Sequence, residues 1–124
     1  MRKCAFIGLG VMGFPMAGHL AKAGFSVTVF NRNGAKADDW CQTYGGQKAD
    51  TPRAAAQGAD FIFTCVGNDD DLRDVVLGDD GALAGMQAGA ILIDHTTTSA
   101  EVARELSSAC LAQNCAMLDA PVSG

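Results

Sequence analysis

Gly8, Gly10 and Gly13 stand at G-x-G-x-x-G spacing in the stretch FIGLGVMG, between an apolar run and a helix-forming one. That context suits a phosphate cradle. The first glycine permits a tight turn, the second leaves room for a pyrophosphate, and the third lets the helix pack close to the sheet. Leu9, Val11 and Met12 complete the loop, and free N–H groups at the helix start face the phosphates. Pro15 is tolerated in this first turn because its missing N–H has no intrahelical partner there. Read plainly, the loop is a glycine-rich turn; the strand–turn–helix setting favours a dinucleotide.

A second group lies about 20 residues on, where a dinucleotide-binding strand ends in Asp or Glu when it holds a ribose 2′-hydroxyl. Here the strand ends in Phe30-Asn31-Arg32-Asn33. Asn31 carries no charge to repel a 2′-phosphate, and Arg32 offers a forked pair of donors to one. Asn33 adds a donor or caps the next helix, and Lys36 adds charge one turn later. These residues point to NADP(H), with NAD(H) as the alternative. On the plain reading Arg32 is a solvated surface residue.

The elements that must position these groups alternate along the chain. Strands are expected at Cys4 to Ile7, Ser26 to Phe30, Gln47 to Ala49, Phe61 to Cys65, Ala90 to Asp94 and Ala116 to Asp119. Met12, Met16 and Leu20 mark a helix over Met12 to Ala23, stopped by Gly24. A second helix runs from Ala35 to Tyr44, ended by Gly45-Gly46. Thr51-Pro52 opens a short helix over Arg53 to Gln57. Asp69 to Leu77 is a helix with an acidic start. Thr98-Ser99-Ala100-Glu101 reads as a capping box for a helix to about Ala112. Such alternation predicts an α/β fold: a Rossmann-type, doubly wound, mostly parallel sheet, with residues 1–124 as one domain. Ligands then bind beyond the carboxyl ends of the strands. Gly8 to Gly13, Val66-Gly67-Asn68 and His95 to Thr98 all fall there, with Thr96 and Thr97 as further cofactor contacts.

Composition narrows the field. The 124 residues are 48% hydrophobic, enough to bury a core, and the net charge of −5 comes with no basic run, which argues against nucleic acid as a partner. The five cysteines include no C-x-x-C pair, and only His19 and His95 are available beside them. This favours reduced, mostly buried thiols in a cytoplasmic protein over a metal site. No apolar run approaches a membrane span, and a strand follows Met1 too closely for a signal peptide.

With FIGLGVMGFPMAGHL, ILIDHTTTSAEVARELS and LDAPVSG on the page, the chain resembles the β-hydroxyacid dehydrogenase family. That family includes 3-hydroxyisobutyrate dehydrogenases, tartronate semialdehyde reductases and glyoxylate/succinic semialdehyde reductases. The resemblance covers the whole chain, and Asn31-Arg32 is similar to the NADP-using, semialdehyde-reducing branch. It implies that Ser123 and Gly124 bind the carboxylate of a small substrate. It also implies a helical substrate domain, absent from this chain, that carries the catalytic lysine, and a homo-oligomeric full-length enzyme. Lys3, Lys22, Lys36 and Lys48 are poorly placed for proton transfer, so no catalytic residue is assigned within the 124 residues. His95 stands where many relatives have methionine, His19 where asparagine is usual, and Gly67 where proline is common. His95 is read as filling space at the strand edge, and Cys65 as core packing. Two alternatives stay open: the cofactor domain of an imine reductase, and a non-catalytic nucleotide-sensing module.

Overall fold

The computed structural model describes residues 2–121; Ser123 and Gly124, the expected carboxylate site, lie outside the described residues. Short apolar runs become strands here because helices cover most of the sheet. The strands are β1 (Lys3–Ile7), β2 (Ser26–Phe30), β3 (Gln47–Lys48), β4 (Phe61–Thr64), β5 (Ile91–Asp94) and β6 (Ala116–Asp119). They form one sheet in the order β3-β2-β1-β4-β5-β6, and every pair is parallel. The order reverses between β1 and β4. A crevice opens at such a switch point, beyond the carboxyl ends of the strands.

The helices are α1 (Gly13–Lys22), α2 (Gly34–Tyr44), α3 (Pro52–Ala56), α4 (Asp69–Leu77), α5 (Ala82–Gly85) and α6 (Ala100–Ala112). Alternate strand residues divide between two cores. Cys4, Phe6, Val27 and Val29 pack with Ala17, Ala37 and Trp40 of α1 and α2. Ala5, Ile7, Ile62 and Leu92 pack with α3 to α6 on the other face. Each fully buried Ile, Leu or Phe contributes about 1.5–3 kcal/mol of transfer free energy. Trp40 Nε1 also donates to Phe14 O at 3.2 Å, tying α2 to the first turn of α1. No helix among the described residues is long and apolar enough to cross a membrane.

Several local expectations are corrected. Helix α1 spans Gly13–Lys22 rather than Met12 to Ala23; its buried residues are Gly13, Ala17 and Gly18, while Met12, Met16 and Leu20 are half-buried. Small residues let the helix lie close to its neighbours: a Cβ on Gly18 would stand 2.2 Å from the Tyr44 ring. The N-cap of α6 is Ser99, whose hydroxyl accepts from Val102 N at 3.2 Å, so Thr98 and Glu101 form no capping box. Asp69 of α4 accepts from the Ser99 N–H at 3.1 Å, the bond that a box glutamate would otherwise supply. The single turn α5 was not anticipated. It packs so closely on α3 that a Cβ on Gly85 would meet Arg53 O at 2.1 Å. The ends of β3, β4 and α3 each fall one residue earlier than expected, and β5 starts one residue later.

Candidate functional site

The glycine loop joins β1 to α1 at the switch point, and its three glycines serve two purposes. Gly8 has φ +104°, and a Cβ there would lie 2.1 Å from Cys65 O. Its N–H donates to Phe30 O at 2.9 Å, fastening the loop to the end of β2. A Cβ on Gly13 would lie 2.0 Å from Gly8 O, so this glycine is needed for the helix to start against the loop. A Cβ on Gly10 would meet nothing within 4 Å. Gly10 therefore keeps space open rather than making a packing contact. The bond from Phe14 N to Gly10 O (3.0 Å) spans the entry to α1, and the N–H groups of Val11, Met12 and Gly13 precede it, without intrahelical acceptors.

A cleft of about 400 Å³ lies over this loop, lined by Gly8, Leu9, Gly10, Val11, Met12 and Gly13 on one side. Asn31 and Arg32 line it from β2, and Val66, Gly67 and Asp71 from the β4 side. The side chain of Leu9 is fully buried, and its N–H donates to Asn31 Oδ1 at 2.9 Å. Asn31 Nδ2 donates to Asn33 O at 3.1 Å. Asn31 thus clasps the loop to the turn after β2, a structural task beyond its lack of charge. Asn33 caps α2, accepting from Ala35 N at 3.1 Å.

Arg32 remains 67% exposed at its side chain, but its guanidinium reaches α4: Nη1 is 3.3 Å from Asp71 Oδ1 and Nη2 is 3.5 Å from Asp74 Oδ2. The open space over Gly10, the unpaired N–H groups of the first turn and this exposed cation fit a dinucleotide with a charged ribose end. Asn68 caps α4, accepting from Asp71 N at 2.8 Å, and with Thr97 it lines a shallow neighbouring hollow rather than the cleft.

Behind the cleft, polar groups bond to one another. Thr64 Oγ1 and Thr96 N both donate to Asp94 Oδ1, at 2.9 and 3.0 Å. Val66 N donates to Thr96 Oγ1 at 3.0 Å. Thr96 is therefore buried behind the Val66 turn, at 2% exposure, and does not line the cleft. Asp94 is fully buried, and its Oδ2 has no hydrogen-bond partner among the described residues. Burial pushes the Asp94 carboxyl above the ordinary aspartate range; hydrogen bonds from Thr96 and Thr64 oppose this, and Asp119 reinforces it. Burial, with a smaller push from Asp94, also raises the Cys65 thiol.

His95 Nδ1 lies 2.8 Å from Ala120 O, and the ring stacks on Phe63 at 5.9 Å between centroids. It borders an apolar hollow with Phe6, Met16, His19 and Leu20, apart from the cleft. No lysine lines the cleft: Lys3 Nζ donates to Gln57 O at 2.6 Å, Lys48 pairs with Asp38, and Lys22 lies over the Tyr44 ring. Among the described residues, no group of three His, Cys, Asp or Glu side chains converges on a metal-sized site.

Three features of the site were not read from the sequence: the Asn31 clasp, the Asp71–Asp74 pairing of Arg32, and the Asp94 network. The acidic start of α4 at the end of β4 was a usable signal for the second. So was an aspartate closing the apolar run Ile91-Leu92-Ile93 for the third.

Residues 3–124 match the family model described as the NAD binding domain of 6-phosphogluconate dehydrogenase. The chain is 68% identical over 124 residues, its whole length, to an uncharacterized oxidoreductase of Shewanella frigidimarina, of which it covers 43%. Its fold matches a crystal structure of 3-hydroxyisobutyrate dehydrogenase from Salmonella typhimurium with a TM-score of 0.91 and 30% identity, covering 100% of this chain and 43% of that one. An imine reductase from Myxococcus stipitatus in complex with NADP+ matches with a TM-score of 0.83 and 27% identity, over 95% of this chain and 40% of that one. The chain thus spans about two fifths of the length of these relatives.

Proposed function

This chain belongs to the family of the NAD binding domain of 6-phosphogluconate dehydrogenase, and we propose that residues 1–124 are the cofactor-binding domain of an NADP(H)-preferring oxidoreductase. Its reaction passes a hydride between the nicotinamide and a small hydroxy acid or semialdehyde. The observation that carries the cofactor preference is Arg32, exposed at the end of β2 on the same cleft as the glycine loop, with uncharged Asn31 beside it.

The nicotinamide cofactor supplies the hydride when bound. This chain's residues bind and orient it. Gly10 admits the pyrophosphate to the loop backbone, and the N–H groups of Val11, Met12 and Gly13 meet its charge at the start of α1. Asn31 keeps the loop at the end of β2, and Arg32 meets the 2′-phosphate with two donors. Val66 and Gly67 form the opposite wall. Ser123 and Gly124, by their place in the LDAPVSG motif, hold the substrate carboxylate. With no lysine on the cleft, proton transfer falls to a group outside these residues, and the 124-residue chain alone is expected to bind cofactor without turnover. The Myxococcus neighbour supports a second reading, in which the reducible group is an imine.

The test is calorimetric titration with NADPH and NADH. A charge-assisted contact is worth about 1.5–3 kcal/mol. Arg32→Ala should therefore weaken NADPH about tenfold or more while leaving NADH nearly unchanged. Equal losses for both cofactors would overturn the NADP(H) preference.

A further inference from the structure

Arg32 is engaged by α4. Asp71 and Asp74 lie three residues apart, and each places a carboxylate oxygen within 3.5 Å of a different guanidinium nitrogen. One positive group facing two negative ones leaves this trio with a net charge of −1. The neighbouring cation of the helix does not offset it, because Arg73 is turned to Asp70 and Glu105, at 3.3 and 3.2 Å.

The two carboxylates differ in placement. Asp71 lines the cleft, at 35% side-chain exposure. Asp74 is 71% exposed and borders an adjoining hollow that shares Phe30, Arg32 and Val75 with the cleft. Asp71 lies in the first turn of α4, which Asn68 caps through the Asp71 N–H, and a Cβ on Gly67 would stand 3.4 Å from Asp71 Oδ2. Its carboxylate stands on the wall of the cleft that Arg32 shares.

We propose that Asp71, assisted by Asp74, is a specificity-determining residue that holds Arg32 at the cleft wall and limits the preference for a 2′-phosphorylated cofactor. The inference rests on the NADP(H) reading above and adds a counterweight to it. A 2′-phosphate must draw the guanidinium from the two carboxylates. The exchange is accessible, since Arg32 and Asp74 are largely exposed and such a pair contributes little. Asp71 nevertheless remains on the cleft wall, where its charge repels a phosphate dianion. An unphosphorylated ribose meets no such repulsion. The structure therefore assigns opposite roles to Arg32 and Asp71 at one subsite.

The experiment titrates NADP+ and NAD+ calorimetrically into the chain and its Asp71→Asn, Asp74→Asn and Arg32→Ala variants, at low and at high salt. Asp71→Asn keeps the backbone N–H that Asn68 caps, and a thermal melt checks folding. It should bind NADP+ about three- to tenfold tighter, with NAD+ changed less than about twofold, and the gain should shrink as salt rises. Asp74→Asn should act in the same direction and more weakly. Weaker NADP+ binding in Asp71→Asn would overturn the proposal and make Asp71 a residue that orients Arg32 for the phosphate. Parallel changes in both cofactors would also overturn it. If Arg32→Ala weakens NADP+ while Asp71→Asn changes nothing, this inference alone fails. If Arg32→Ala leaves NADP+ binding intact, the NADP(H) reading fails and takes the inference with it.

Discussion

At the ends of β1 and β2, polar groups face a cleft: Gly10 keeps space open, and Arg32 holds two carboxylates, half-buried Asp71 and exposed Asp74, that it can exchange. At the ends of β4 and β5, on the same edge of the sheet, polar groups face one another: Thr64, Asp94 and Thr96 are at most 2% exposed and bonded among themselves. Neither arrangement would do at the other place. A ligand has to displace what holds the binding groups, and exposed ion pairs yield at little cost. A buried donor that loses its acceptor carries an uncompensated desolvation penalty, so the inner network has no cheap alternative state. The first region is built to change partners and the second to keep them.

The sharpest way to test that division is within the glycine loop, where one glycine is packed and another faces open space. Gly13→Val places a Cβ against the Gly8 carbonyl, at 2.0 Å before any adjustment. Backbone cannot move aside as a side-chain tip can, so the loss should exceed about 3 kcal/mol and lower the melting temperature by about 10 °C or more. Gly10→Val meets nothing within 4 Å. It should melt near the parent and bind neither cofactor. A Gly13→Val protein that melts normally would show slack in the packing of α1 against the loop. A Gly10→Val protein that binds normally would reduce the loop to a turn.

The inner network should respond next. Asp94→Ala leaves the Thr64 hydroxyl and the Thr96 N–H without their buried acceptor, at about 1–3 kcal/mol for each group. Asp94→Asn keeps an oxygen for both and tests the charge instead. The Asp94 pKa is raised in the folded protein, mainly by burial. Its contribution to stability is therefore full below the ordinary aspartate pKa and is lost as pH rises through the raised value. The melting temperature of the parent minus that of Asp94→Asn should fall across that window. A difference that stays flat with pH would mean that Asp94 titrates like a solvated carboxylate.

The same division explains what could be read from the residues alone. The outward-facing region was legible because its chemistry is local: G-x-G-x-x-G and Phe30-Asn31-Arg32 each sit within a few consecutive residues, and the strand–helix alternation places both at one edge. The inward-facing region was not. Thr96 is expected near the cofactor from its position after β5, and only the approach of β4 shows that its hydroxyl oxygen accepts from Val66 N behind the cleft. Met12, Met16 and Leu20 mark the helix by their period, but its buried residues include Gly13 and Ala17, because close approach to the sheet selects small residues over large apolar ones. Thr98 and Glu101 matched a capping box, but α6 is capped one residue later, at Ser99, which puts Val102 at the box position, and Asp69 of α4 takes the Ser99 N–H instead. Each of these details depends on a contact with a residue distant in sequence, which no local pattern carries.

That last tie gives the smallest expected effect and a boundary case for the comparison. Ser99 caps α6 through its hydroxyl, while its own N–H donates to Asp69 at the start of α4, so two helix starts near the cleft hold each other in register. Ser99→Ala should cost about 1 kcal/mol, the usual loss for an N-cap. The Ser99 hydroxyl, then its N–H, hold the Asp69 carboxyl below the ordinary aspartate range, with Arg73 adding a smaller share. The folded pKa is lowered, so the stability due to Asp69 is present above the ordinary value and lost as pH falls through the lowered one. Asp69→Asn should therefore lower the melting temperature slightly at neutral pH and not at all in strong acid, and in the Ser99→Ala background that pH-dependent loss should shrink. If the loss is unchanged in the double variant, Asp69 draws its stabilisation from the dipole of α4 and not from Ser99. The contact would then belong with the exchangeable surface pairs.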